Sequence, residues 1–239
     1  PVFAQQLASL GDLYVNDAFG AAHRAHASTA GIAQYLAHAA GLLMQREVEE
    51  LSKLLTAPEH PVVAIIGGSK ISTKLALIQN LLPKVDKILL GGALANTLML
   101  ANGYPVKQSL VEADLVDTVQ GLISDKLLLP SDVVWGDDRI LDIGPNTVAT
   151  YTAAIQGAKT IIWNGPMGMF EQPAFAAGTL GIAKAVAASG AYSVLGGGET
   201  VSAIHQANLA DQVSFISTGG GAMLEFLEGK QLPGIEALN

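Results

Sequence analysis

The chain has 239 residues, 50% of them apolar and 14% charged, and it contains no cysteine. The missing thiols exclude disulfides, thiolate metal sites and cysteine nucleophiles, and the apolar excess excludes a disordered chain. Thirteen Lys and Arg against 21 Asp and Glu give a net charge of −8 with no basic cluster, which excludes an electrostatic nucleic-acid binder.

In chain order, 12–16 reads as a strand and 17–28 as a loop carrying His23, Arg24 and His26. Residues 41–56 read as a strong amphipathic helix, with Leu42, Leu43, Val48, Leu51, Leu54 and Leu55 at helical spacing and Glu49 four residues before Lys53. A long helix at this point reads as a connector between domains. From about residue 60 the pattern changes. Short apolar runs at 61–66, 87–90, 132–135, 159–163, 191–195 and 212–217 each end in glycine or a small polar residue, and helix-length segments follow. Such repetition predicts βα units forming an α/β, doubly wound, six-stranded parallel sheet (Rossmann-like), with the carboxyl ends of all six strands at one edge. Stretches 25–45 and 88–106 lack Asp, Glu, Lys and Arg, but His26, Gln34, His38, Asn96, Asn102 and Pro105 interrupt them. They read as buried strands and Ala-rich helices, not membrane spans.

The glycines at the strand ends carry the functional signal. Gly67-Gly68, Gly91-Gly92, Gly196-Gly197-Gly198 and Gly219-Gly220-Gly221 all fall where an open α/β sheet binds ligands, and helix amino termini there favour anions. Tight turns explain any one pair; four on one edge point to a phosphate-bearing ligand. Lys70 and Lys74 follow the first pair, and on a helix they share a face that suits a polyphosphate. Glu199 and Thr200 open a helix after the glycine triplet, either as caps or as an acid beside phosphate-held Mg²⁺. In the run 163–171, Asn164 and Glu171 are candidate ribose contacts, and Pro166 and Phe170 offer apolar surface to a base. His205 stands alone and reads as core or surface. The dinucleotide fingerprint, the Walker pattern and metal-ligand spacings are all absent.

Seven blocks then carry a family resemblance: VNDAFGAAHRAHAS (15–28), IIGGSKISTK (65–74), ILLGGALANT (88–97), LDIGPNT (141–147), WNGPMGMFE (163–171), LGGGET (195–200) and STGGGAMLEFLEGKQLPG (217–234). In that order, they resemble phosphoglycerate kinase over nearly the whole chain. The resemblance implies reversible phosphoryl transfer between ATP and 3-phosphoglycerate, giving ADP and 1,3-bisphosphoglycerate, with Mg²⁺ as cofactor. It implies that Lys70 and Lys74 contact phosphates, and that Gly68, Ser69, Gly91, Gly92, Asn164, Pro166 and Glu171 line the nucleotide. Gly197, Gly198, Glu199 and Thr200 would stand at the phosphates, with Glu199 near the metal. Catalytic roles fall to Lys70, Gly198, Glu199 and Thr200, and Arg24 with His23 would hold the phosphoglycerate.

By the same resemblance, 1–40 is the end of an amino-terminal substrate domain, 41–57 an interdomain helix, 58–230 the nucleotide domain and 231–239 a tail. The chain opens on Pro1, so further residues are expected upstream, and a nucleotide-binding module without catalysis is the alternative function. A cytoplasmic protein, monomeric when intact and free of nucleic-acid or membrane partners, is expected. Two further departures from the family pattern stand out. Between Gly136-Asp137 and Leu141, where the family has a longer excursion, only Asp138, Arg139 and Ile140 occur, and Phe215 stands where a polar residue is common.

Overall fold

The computed structural model describes residues 2–239 and divides into two units, Pro1–Ala57 with Ser217–Asn239, and Pro58–Ile216. The first unit opens with helix α1 (Val2–Ala8) and strand β1 (Leu13–Asn16), which pairs in parallel with β2 (Ala37–Ala40). Helix α2 (Leu42–Thr56) follows, and it buries Met44, Glu47, Leu51 and Leu54, one residue per turn along a single stripe. Asp17 Oδ1 accepts from Met44 N at 2.9 Å and so satisfies a free amide of the first turn of α2.

The second unit alternates strand and helix: β3 (Val62–Ile66), α3 (Leu75–Leu81), β4 (Lys87–Leu90), α4 (Gly92–Ala101), α5 (Val116–Gln120) and β5 (Leu127–Leu128). A hairpin of β6 (Val133–Gly136) and β7 (Arg139–Ile143) comes next, and then α6 (Pro145–Gln156), β8 (Thr160–Asn164), α7 (Ala177–Ala188), β9 (Tyr192–Gly196), α8 (Gly198–Gln206) and β10 (Phe215–Ile216). Six strands form one wholly parallel sheet in the order β10-β9-β8-β3-β4-β5. Val63, Ile65, Leu89, Ile161, Trp163 and Leu195 pack against Tyr151 and Ile155 of α6, Ile182 and Val186 of α7 and Ile204 of α8. Their strand neighbours Val62, Ala64, Ile66, Ile88, Leu90, Ile162 and Val194 are buried as well, so the runs are apolar on both faces.

One strand differs from expectation. The run 132–135 is extended but stands outside the sheet; its place is taken by the two residues of β5, which pair with β4. A two-residue turn, Asp137-Asp138 with φ of 48° and 58°, returns the chain on itself, and β6 finds its partner in β7 instead.

The chain then rejoins the first unit with α9 (Gly221–Leu227) and α10 (Pro233–Glu236). Residues 217–230, expected in the nucleotide domain, group with the first unit. Buried Glu47 on α2 is the reason, since its carboxylate accepts from Ser217 Oγ (2.7 Å), Thr218 N (2.6 Å) and Thr218 Oγ1 (2.8 Å). Further on, Gly234 N donates to Ala22 O at 2.8 Å. Among the described residues, no helix is long and apolar enough to cross a membrane.

Candidate functional site

In the second unit the strand order reverses at β3, with β4 and β5 on one side and β8, β9 and β10 on the other. A reversal of this kind opens a crevice beyond the carboxyl ends of the strands. Gly67 and Gly165 follow β3 and β8 there, and their backbones cross closely. A Cβ on Gly67 would lie 2.0 Å from Pro166 O, and one on Gly165 2.2 Å from Gly67 O. Gly68 N donates to Pro166 O at 3.1 Å and Gly92 N to Met167 O at 2.7 Å, which ties the three strand-end loops together.

The loop after β8 is fixed from below by hydroxyls. Thr200, fully buried, accepts from Gly165 N at 2.7 Å, and Thr179 accepts from Met167 N at 3.0 Å. Met169 N donates to Leu141 O at 2.8 Å. Beside this frame lies a cavity of about 320 Å³. Gly68, Ser69, Gly92 and Pro166 contribute to its wall, Met99, Leu110, Ile140, Leu141, Met167 and Met169 make it largely apolar, and Arg139, Asp142, Glu171 and Glu199 are its ionisable members. This composition, mostly apolar with a few polar groups, suits a heterocycle carrying a charged substituent.

Asp142 was not singled out in the sequence. It is buried, its carboxylate accepts from Ile143 N (2.9 Å) and Gly178 N (2.7 Å), and burial pushes its pKa up to about 6. The only signal for it was one acid inside the apolar run of the LDIGPNT block.

The expected site residues separate into groups. Gly68, Ser69, Gly92, Pro166, Glu171 and Glu199 share the cavity; Lys70, Lys74, Gly91, Asn164, Gly197, Gly198 and Thr200 do not line it. The two lysines do not share a helical face. Lys70 lies in a loop and Lys74 immediately precedes α3, because buried Ile71 and the bonds from Ser72 N and Oγ to the Glu112 carboxylate draw 70–74 into a turn. Lys74 Nζ donates to Asn164 Oδ1, whose Nδ2 donates to Gly196 O at 2.8 Å. Asn164 is thus a buried brace from β8 to β9. Phe170 is buried against Ala176 and Ala203 and gives the cavity no surface. His205 is exposed at the end of α8. His23 and Arg24 belong to the first unit, where Arg24 Nε donates to His23 Nε2 at 3.3 Å. His23 Nδ1 is buried without a protein partner.

The family model for phosphoglycerate kinase matches residues 1–230. The chain belongs to the phosphoglycerate kinase family. A phosphoglycerate kinase of Moorella thermoacetica is 51% identical over all of this chain and 67% of its own length, and one of Herpetosiphon aurantiacus is 54% identical with the same coverage. The first alignment runs over 263 positions for the 239 residues here, so about 24 positions of that relative have no counterpart. Among solved structures, phosphoglycerate kinase from Coxiella burnetii matches with a TM-score of 0.91 at 46% identity, covering 99% of this chain and 68% of that one. The phosphoglycerate kinase of Pyrococcus horikoshii matches at 0.89 and 32% identity, covering 98% and 65%. The chain spans about two thirds of the length of these phosphoglycerate kinases.

Proposed function

We propose that the cavity of the second unit binds ADP or ATP and that the chain supplies the nucleotide side of phosphoryl transfer between ATP and 3-phosphoglycerate, a cytoplasmic step of glycolysis. The observation that carries this reading is the coincidence of the apolar cavity with the strand-order reversal, where Gly68, Ser69, Gly92 and Glu199 meet the same space. The acceptor in this reaction is a carboxylate, already ionised at neutral pH, so no general base is required. What the protein must contribute is positioning and charge neutralisation. Gly68 and Gly92 bring backbone to the phosphates, Lys70 and Lys74 supply cations, and Asn164 orients Lys74. Pro166 and Glu171 flank the nucleoside, and Arg24 with His23 holds the phosphoglycerate.

The donor set fits Mg²⁺ as a companion of the phosphates. Among the described residues no three His, Cys, Asp or Glu converge, and Mg²⁺ is commonly bound by one or two carboxylates plus substrate phosphates. Glu199 is the residue to hold it, and the ion, when bound, neutralises phosphate charge.

Calorimetric titration with Mg-ADP tests the binding half and is expected to show one site per chain; absence of heat overturns it. A coupled assay for ATP formation from 1,3-bisphosphoglycerate and ADP then separates a kinase from a module that binds without turnover. The second reading is favoured by the acceptor side, to which only Arg24 and His23 are assigned. We expect at most trace turnover from these 239 residues.

A further inference from the structure

The hairpin of β6 and β7 contributes Arg139, Ile140 and Leu141 to the cavity wall, and it is held at its turn. Its turn residues Asp137 and Asp138 are both left-handed, and so is Lys107 across from them, with φ of 48°. Lys107 Nζ lies 2.6 Å from Asp138 Oδ1 and 4.8 Å from the centroid of the Trp135 ring, so one ammonium grips the turn and the strand leading into it. Two neighbours of Lys107 complete the attachment: Gln108 N donates to Asp138 O at 3.1 Å, and Ser109 Oγ accepts from Ile140 N at 2.8 Å. The two segments joined in this way both face the cavity, Leu110 from one and Arg139, Ile140 and Leu141 from the other.

We infer that Lys107 is a positioning residue for the nucleoside: by clamping Asp138 and Trp135 it fixes the distance between the hairpin and the segment at 107–110, and with it the width of the apolar part of the cavity. The inference rests on the nucleotide reading above and adds a residue that touches neither phosphate nor metal. A left-handed lysine is an uncommon backbone state for a long side chain, and here it aims the ammonium at the hairpin. Both members of the ion pair are more than half exposed, at 54% and 57%, so the clamp is open to screening by salt.

That exposure supplies a readout that plain packing would not move. Adenosine is uncharged, so salt acts on its affinity chiefly through the protein's own ion pairs. The test is adenosine and tripolyphosphate binding to the full chain and to Lys107→Met, which keeps the apolar stem. In about 10 mM salt, where screening reaches about 30 Å, the variant is expected to bind adenosine about threefold more weakly than the wild type. In about 1 M salt, where screening shortens to about 3 Å, the gap is expected to shrink. Lys107→Arg, able to pair and stack, should restore wild-type affinity. Tripolyphosphate binding should be the same in all three. Asp138→Asn, which removes the pair from the hairpin side, should reproduce the salt-dependent gap and keeps the test intact should Lys107→Met fold poorly. A gap that is absent, equal at both salt levels, or shared by tripolyphosphate overturns the inference. Wild-type protein that binds neither adenosine nor ADP removes the nucleotide reading along with it, whereas ADP binding without a Lys107 effect removes the clamp alone.

Discussion

All five residues of β3 and all five of β8 are buried, whereas β2 exposes all four of its residues and β1 fully buries Asn16 alone. The two sheets share parallel pairing and a well-defined register. They differ in cover. Helices pack the face of the larger sheet that carries Ile65 and Trp163, while Leu13 and Val15 of the smaller remain 60% and 51% exposed. Backbone pairing thus sets where strands lie, but burial of their side chains sets what they contribute, because a ladder exchanges hydrogen bonds with water at small net gain.

The sharpest way to break this comparison is to truncate one residue in each sheet. Ile65→Ala is expected to cost about 2–5 kcal/mol, and Val15→Ala no more than about 0.5 kcal/mol. Urea unfolding of both variants checks this, and equal losses would mean that β1 is covered in solution.

Next in size is the pH response of the buried carboxyl. Burial raises the folded-state pKa of Asp142 from 3.8 to about 6. The fold therefore bears the cost of the ionised form above about pH 6 and sheds it as the pH falls towards 3.8. Relative to Asp142→Asn, the wild type should gain on the order of 3 kcal/mol between about pH 7 and about pH 4. Paired denaturation series at several pH values measure it; a constant gap between the two proteins would refute it.

A smaller loss, about 2 kcal/mol, is expected for Glu47→Gln, which turns an amide donor towards Ser217 and Thr218, donors themselves. Hydrogen exchange should locate that loss in 1–57 and 217–239, leaving β3 and β8 protected. Smallest of all in stability is Leu13→Lys, within about 0.5 kcal/mol. Its effect should appear in sedimentation velocity instead. Val2, Phe3, Leu10, Leu13 and Val15 form an exposed apolar set, and concentration-dependent self-association through it should weaken in the variant.

Helix α2 and the core strands were legible because their signals are local. Six apolar residues at helical spacing identify α2, although of these only Leu51 and Leu54 are buried while Leu42 and Leu43 are exposed, and five consecutive apolar residues identify β3. By contrast, β5 is two leucines inside a leucine-rich run, too short for any periodicity. The run 132–135 has the composition of a core strand, and composition does not say which strand it joins. Part of the cavity wall was readable because Gly68 and Gly92, at the ends of apolar runs, stand at positive φ, a backbone state that favours glycine. The separation of Lys70 from Lys74 was not, because Glu112, 40 residues from Ser72, makes the turn between them. Asp142 escaped for a similar reason: its partners Ile143 and Gly178 are backbone amides, which no residue type announces.

Glu47 also has a consequence for how the chain is made. Its hydroxyl partner Ser217 lies 170 positions later, which at ribosomal speeds of roughly 5–20 residues per second means a wait of roughly 10–35 seconds. The second unit lies wholly within that interval, since every residue from 58 to 216 is translated before the first unit can close. Vectorial synthesis therefore favours an order of folding opposite to the order of the sequence, with the buried sheet assembled first. Until Ser217 and Thr218 arrive, the Glu47 carboxylate lacks the three donors that meet it in the folded unit.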